Sequence, residues 1–379
     1  MQDRKFAIVV TAYNRAKPLE NLLRSLDGLR AGQEIPLVIS IDNRGTPEVN
    51  RIAEQFVWRH GEKKVLIHEQ KKGLRAHFIW AGDQTAEYGN VLFVEDDLYL
   101  SPYAADYVNA VIDRYQGDRR VAGGALYNPV LCEFDGCKFY QVEDGFDNYF
   151  FQHPYWGNVW MKEQWDDFKR WLATYEYNPQ ILPANVQRWN ITSFKKLYVQ
   201  YLVETDRTMV YPRVSYLTNM GEMGLHSRKR QTQFQTSVQY GQRKLALSTL
   251  DESRSVYDAF FELKPELLKA LNPALRPYDF TVDMRGLHSF ADTEYLLTRR
   301  PVKAAVASFS DDMRPIECGM ILGFGDGDIK LARKKDVLVN RWFNLERIAK
   351  DVIAHNYAMR YRDILMALYL SIRQQHTKR

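Results

Sequence analysis

VLFVEDDLYLSP, Val91 to Pro102, is the stretch whose reading decides the fold. Val91, Leu92, Phe93 and Val94 form an unbroken apolar run, as a strand covered on both faces requires, and the run ends in Glu95, Asp96 and Asp97. Two like charges about 4 Å apart repel by roughly 4 kcal/mol at an effective dielectric near 20. Three carboxylates at the mouth of a buried strand therefore imply a positive partner. Pro102 suits the first turn of a helix reaching to about Tyr115.

Upstream, the same alternation repeats with short connections. FAIVVT (Phe6 to Thr11) reads as an apolar strand, and Leu19, Leu22, Leu23 and Leu26 mark one face of a helix from Pro18 to Leu29. PLVISID ends a second strand at Asp42, NRGTP turns the chain, and a helix spans about Glu48 to Phe56. KVLIHE (Lys64 to Glu69) is a third strand, and a helix from about Leu74 to Glu87 leads into VLFVEDD. Strands alternating with helices predict an α/β protein: a Rossmann-like, mostly parallel sheet with right-handed crossovers and helices on both faces. Ligands bind such sheets beyond the carboxyl ends of the strands. Thr11 to Arg15, Asp42 to Arg44 and Glu95 to Asp97 all stand at those ends, so the topology converges them on one crevice.

Composition sets the bounds. A chain of 379 residues with 45% hydrophobic and 13% aromatic residues folds, and its length suits a large domain with an appendage. Residues 1–227 read as one domain, 228–250 (around SRKRQTQFQ) as a mobile basic loop, and 251–379 as an accessory region. No run of about 18 apolar residues and no signal peptide is evident, so a cytoplasmic protein is expected. Cys132, Cys137 and Cys318 are too few for a disulfide framework or a four-ligand zinc site and read as reduced thiols. The net charge of +5 resides in residues 341–379, which hold eight Lys/Arg against three Asp/Glu.

A divalent cation is one positive partner that the acidic triplet could have. Mg²⁺ or Mn²⁺ takes hard oxygen ligands, often one or two carboxylates with water and substrate phosphates completing the shell. The bland alternative is a solvated acidic turn. VVTAYNRAKPLENLLRSL, VISIDNRGTPEV, KKGLRAHF and VLFVEDDLYLSPYAADYV, in that order, resemble the nucleotide-sugar domain of inverting glycosyltransferases with the type A fold, such as N-acetylglucosaminyltransferase I and bacterial family 2 enzymes that build surface polysaccharides. HPYWGNVW is similar to that family's Trp-Gly-x-x-x-Trp segment, and YPRVSYLTNMGEMGLHS to its segment ending in a histidine. The resemblance covers about Phe6 to Ser227.

It implies that Thr11 and Arg15 line the nucleotide and diphosphate pocket, and that Asp42 accepts a hydrogen bond from the base, consistent with uracil. Asp97 would be the metal ligand, Glu95 and Asp96 would reach donor-sugar and ribose hydroxyls, and His226 would approach the metal or diphosphate. From the residues alone, Arg15 is equally a solvated arginine at a helix start, and a lone histidine is more often structural. Arg228, with Lys229 and Arg230, could close over the diphosphate or simply form an exposed basic loop.

The family's catalytic base lies in a Trp-Asp-Asp-Trp run, whereas RWNITSFKKLYVQYL has no acid until Glu204. Asp167 and Asp166 in EQWDDF, with Glu163 behind, become the candidates; adjacent helical residues point about 100° apart, so one of the aspartates at most faces the crevice. Trp156 and Trp160, with Trp165 and Tyr155, offer stacking surfaces for an acceptor sugar, or are core.

Beyond residue 250, FTVDMRG, TEYLLTRR, KAAVASFS and CGMILGFGDGDIKLA read as short strands and hairpins, with GFGDGDI as a hairpin turn rather than a phosphate loop. Leu345, Ile348, Val352, Ile364, Leu365, Leu368 and Ile372 recur at helical spacing among basic residues. That pattern suits either an amphipathic helix on an anionic inner membrane face, where a lipid-linked acceptor would be displayed, or packing on the protein or a second subunit. The expected partners are a nucleotide-sugar donor, UDP-linked, and a glycan or lipid-linked glycan acceptor; nucleic acid is not expected. Competing classes are a sugar nucleotidyltransferase, which usually needs a glycine-rich basic phosphate loop that TAYNRAKP lacks, and a noncatalytic glycan-binding protein.

Overall fold

The computed structural model describes residues 5–221, 232–288, 292–338, 342–355, 360–366 and 369. In the first half, β1 (Ala7–Ala12), α1 (Ala16–Asp27), β2 (Leu37–Ile41), α2 (Pro47–Gln55), β3 (Lys63–Ile67), α3 (Leu74–Asp83), α4 (Thr85–Tyr88) and β4 (Asn90–Glu95) alternate as the sequence predicts. β5 (Leu98–Leu100), α5 (Ala104–Tyr115), β6 (Val121–Ala125), β7 (Asn148–Phe151), β8 (Asn158–Met161), α6 (Lys162–Ala173), α7 (Ala184–Gln187), α8 (Phe194–Glu204), β9 (Thr208–Pro212), β10 (Leu217–Asn219) and β11 (Val256–Tyr257) follow.

Nine strands form one sheet in the order β11, β7, β9, β6, β8, β4, β1, β2, β3. β3, β2, β1 and β4 are mutually parallel, β8 runs antiparallel between β4 and β6, and β6 and β9 are parallel. Every residue of β1, β2 and β6 is buried, as a sheet covered on both faces demands. α1 lays Leu19, Leu22, Leu23 and Leu26 onto that sheet from a single stripe. Thr46 caps α2 by accepting from the Val49 amide at 3.3 Å, with Pro47 in the first turn, and Ser193 caps α8 through the Lys196 amide.

β11 joins the large sheet beside β7, so that body does not end near residue 227 but draws its last strand from residues 256–257. From residue 232 on, the stretch expected to be a mobile loop is fastened to the sheet body. Gln239 N donates to Ser215 O (2.7 Å), Asp147 N to Ala246 O (2.9 Å) and Ser248 N to Asn148 Oδ1 (2.8 Å).

After α9 (Pro265–Leu271), a second sheet of four strands combines β12 (Phe280–Asp283), β13 (Tyr295–Thr298), β14 (Ala307–Phe309) and, beyond α10 (Glu317–Ile321), β15 (Ile329–Arg333), in the order β12, β13, β15, β14. Thus CGMI is helical rather than a strand, and GFGDGDI connects α10 to β15 instead of closing a tight hairpin. α11 (Phe343–His355) docks through buried Arg347, which reaches Asp135 of the sheet body (2.9 Å) and Asp351 (3.2 Å), while Leu345 and Ile353 stay exposed. Among the described residues no helix is long and apolar enough to cross a membrane.

Candidate active-site crevice

The register of the parallel strands assembles the crevice. Thr11 pairs with Glu95 on one side and Ser40 on the other, and Asp42 follows Ile41, its amide donating to Ala12 O at 2.9 Å. Thr11, Asp42 and Glu95 therefore stand side by side where β1, β2 and β4 end, the edge at which parallel sheets present ligands. Asp42 is buried, and its carboxylate accepts the Lys72 amide (2.7 Å) and the Gly73 amide (3.1 Å). It pins the turn that starts α3, a role its place in the sequence does not betray.

Arg15, at the start of α1, supplies positive charge to the acidic triplet. Its guanidinium grips both oxygens of Asp96 and donates to Asp97 Oδ2 at 3.0 Å. Burial alone would lower the Arg15 pKa, but Asp96 and Asp97 outweigh it and the net shift is upward. Burial pushes Glu95 up to about 8, with the Asp97 charge adding to it and Arg15 opposing. Burial likewise takes Asp96 to about 6 against the pull of Arg15. One arginine thus cannot neutralise three carboxylates. Asp97 Oδ1 remains buried without a hydrogen-bond partner among the described residues. An orphaned carboxylate oxygen of this kind fits a hard cation. No three His, Cys, Asp or Glu side chains gather as a ligand set among the described residues, so phosphate and water would have to complete any such shell. The backbone of Asp97 accepts the Met220 amide (2.9 Å) just beyond β10, which itself pairs with β5. The chain heading for His226 and Arg228 accordingly leaves from beside the triplet, although both residues lie outside the described ones.

The aromatic segment divides. Trp156 is half-buried near the carboxyl edge, its ring edge-on to Tyr127 (4.9 Å) and Phe234 (5.3 Å). Trp160, expected as an acceptor platform, is instead a core residue. It stacks on Phe93 (5.0 Å) and packs on Trp165 (4.5 Å), leaving no face for a sugar.

Asp166 and Asp167 are not brought to the crevice. β8 runs antiparallel to β4, with Met161 opposite Asn90, so α6 begins at the amino edge of the sheet, opposite the acidic triplet. There Asp167 is buried among Arg119 (2.7 Å), Arg207 (2.8 Å) and Arg170, while Asp166 pairs with Lys162 on the surface. A carboxylate held by three guanidiniums at the wrong end of the sheet is a structural anchor.

A buried charged cluster that sequence reasoning missed joins the loop after β6, the segment before β8 and α8. Glu133 binds Lys195 Nζ through both oxygens (2.7 and 2.9 Å) and contacts His153 Nε2. Lys195, in the first turn of α8, also lies over the rings of Tyr155 (4.1 Å) and Trp189 (5.1 Å), and its charge is weakly felt at Glu95. Burial would raise the Glu133 pKa, yet Lys195 and His153 bring it down to about 2. Burial, helped by Lys195, holds His153 down at about 4, and burial lowers Lys195 against the pull of Glu133. Glu133 sits in an irregular loop (CEFDGC), where no periodicity signals which way a side chain turns; the paired lysines, Lys195 and Lys196, in the first turn of a largely apolar helix after Ser193 were the available hint.

The fold and site define an α/β protein with an acidic, partly neutralised crevice at the carboxyl edge of parallel strands. No family model and no curated protein matches the chain. Among solved structures, it is similar to S. aureus TarS 1-349 in complex with UDP-GlcNAc, at 17% identity over 58% of this chain and 60% of that one, with a TM-score of 0.40. Another crystal structure of S. aureus TarS 1-349 gives 17% identity, 56% and 59% coverage and a TM-score of 0.36. The mannosyltransferase PcManGT from Pyrobaculum calidifontis, in complex with GDP-Man and Mn²⁺, gives 12% identity, 43% and 47% coverage and a TM-score of 0.31. The chain thus spans about three-fifths of the length of the TarS fragment, and likeness at these scores carries no argument about activity.

Proposed function

We propose that the chain is an inverting glycosyltransferase of the type A fold, moving a sugar from a UDP-linked donor to a glycan hydroxyl in surface polysaccharide assembly. The observation that carries this reading is the register that sets Thr11, Asp42 and Glu95 side by side, with Arg15 bridging Asp96 and Asp97 and one Asp97 oxygen left buried and unpartnered among the described residues. Thr11 and Asp42 border the nucleoside, and Glu95 and Asp96 face sugar and ribose hydroxyls. Arg15 keeps its charge at every working pH and attracts the diphosphate. Asp97 would hold Mn²⁺ or Mg²⁺, which when bound supplies Lewis acidity that offsets charge on the departing nucleoside diphosphate.

With α6 at the far edge, the proton acceptor falls to Glu133. Its carboxylate takes the acceptor hydroxyl proton, the freed oxygen bonds to the anomeric carbon, and the bond to the β-phosphate oxygen breaks with its electron pair leaving on UDP. A carboxylate held near 2 is a weak base while Lys195 stays paired. An arriving diphosphate competes for that ammonium and restores basicity.

UDP release from a panel of UDP-sugars with Mn²⁺ tests the assignment. Asp97→Asn should lose at least about a hundredfold in turnover with an unchanged melting profile. Glu133→Gln should lose transfer to acceptor while donor affinity holds. Normal turnover by Asp97→Asn, or release of pyrophosphate in place of UDP, would remove the glycosyltransferase reading.

A further inference from the structure

A second charged cavity lies away from the crevice, between the end of β13, β15 and α11, with a volume of about 330 Å³. Its floor is formed by Arg299 and Arg347 and its rim by Arg300, Lys330 and Lys350, against only Asp328 and Glu346. Much of the floor charge is matched from behind: Arg299 pairs with Asp311 (3.0 Å), Arg347 with Asp135 and Asp351, and Arg300 with Asp283 (3.0 Å). Two donors are not matched. Arg347 is only 4% exposed, yet its Nε–H has no partner among the described residues. Lys330 makes no ion pair among the described residues, and the exposed contact of Lys350 with Asp328 is long, at 3.8 Å. A buried guanidinium N–H without an acceptor is destabilising, and an acceptor from outside the chain would relieve it.

We propose that this cavity is a binding site for a multiply charged oxyanion, a phosphate or diphosphate group, seated on Arg347 and held at the rim by Lys330 and Lys350. A guanidinium N–H and two ammonium groups can donate charge-assisted hydrogen bonds to phosphoryl oxygens, and a cavity of this size admits one or two such groups together with part of what carries them. The chemistry is shared by free polyphosphoryl compounds and by the headgroups of anionic lipids. The proposal does not depend on the nucleotide-sugar reading of the crevice.

Inorganic tripolyphosphate, titrated calorimetrically into the full chain in metal-free buffer, is the probe, with phosphatidylglycerol vesicles in a parallel sedimentation arm. The double variant Lys330→Gln/Lys350→Gln should bind about tenfold more weakly, the loss expected for one or two charge-assisted contacts. The control Lys64→Gln/Lys244→Gln, which removes the same charge from exposed positions elsewhere, should bind like the parent. Tripolyphosphate binding that follows the rim lysines supports a free phosphoryl ligand; vesicle binding alone that follows them supports a lipid headgroup. Absence of both, undiminished binding by the rim variant, or equal weakening in the control would overturn the proposal.

Discussion

Arg15 and Asp167 show how one electrostatic rule yields opposite roles. At Glu95, Asp96 and Asp97 carboxylates outnumber the single guanidinium, so among the described residues one Asp97 oxygen is left without a partner. At Asp167 guanidiniums outnumber the carboxylate and every oxygen is taken. A site has surplus demand; an anchor has none. Removing the Asp167 charge leaves Arg119, Arg170 and Arg207 facing one another, a cost tempered by the exposure of the first two. Asp167→Asn is accordingly expected to lower stability by about 2–3 kcal/mol in urea unfolding. UDP release per folded molecule should stay at the parent level. A stable variant with abolished turnover would instead return Asp167 to the role of base.

At the scale of elements, what the sequence made legible depended on how regular the signal was. The β1-to-β4 alternation announced itself because parallel strands are apolar throughout and their helices carry one stripe, and each motif at a strand end then had only one edge to occupy. Reversal of β8 was invisible: NVWM reads the same in either direction, yet its antiparallel course sends α6 and Asp167 to the amino edge and buries Trp160. Glu133 was hidden for a related reason, since the loop that carries it approaches Lys195 across 62 residues of chain. Gly157, between Trp156 and β8, is the hinge of that reversal. Its φ is +72°, and a Cβ there would come within 2.3 Å of Leu217 Cδ2 and 2.8 Å of Leu126 Cβ. Gly157→Ala combines left-handed backbone strain with overpacking, and should destabilise by about 2–4 kcal/mol. Thermal unfolding checks this, and a neutral outcome would mean that the strand entry relaxes freely.

Across the whole molecule, buried ionisable groups pull stability in opposite directions with pH. In the sheet body, burial holds His153 at about 4, below its ordinary 6.5, so its share of stability is complete above 6.5 and is lost as pH falls toward 4. Glu133, brought down to about 2, loses its share as pH falls from 4.5 through 2. Glu317 of α10 behaves in reverse. It is buried, and burial pushes its carboxyl up to about 7, so the folded state holds the proton more tightly than the unfolded chain does. Its contribution is complete below 4.5 and is lost as pH rises through 7. Replacing it by an uncharged isostere isolates that one titration, because every other group is common to both proteins. Glu317→Gln should match the parent at pH 4 and exceed it by roughly 3 kcal/mol at pH 8, with the difference growing between those limits. Urea unfolding of the pair across that range provides the test. A difference that stays flat, or runs the other way, would show that ionised Glu317 finds a compensating partner, with Arg285 and Arg314 the cations already acting on it.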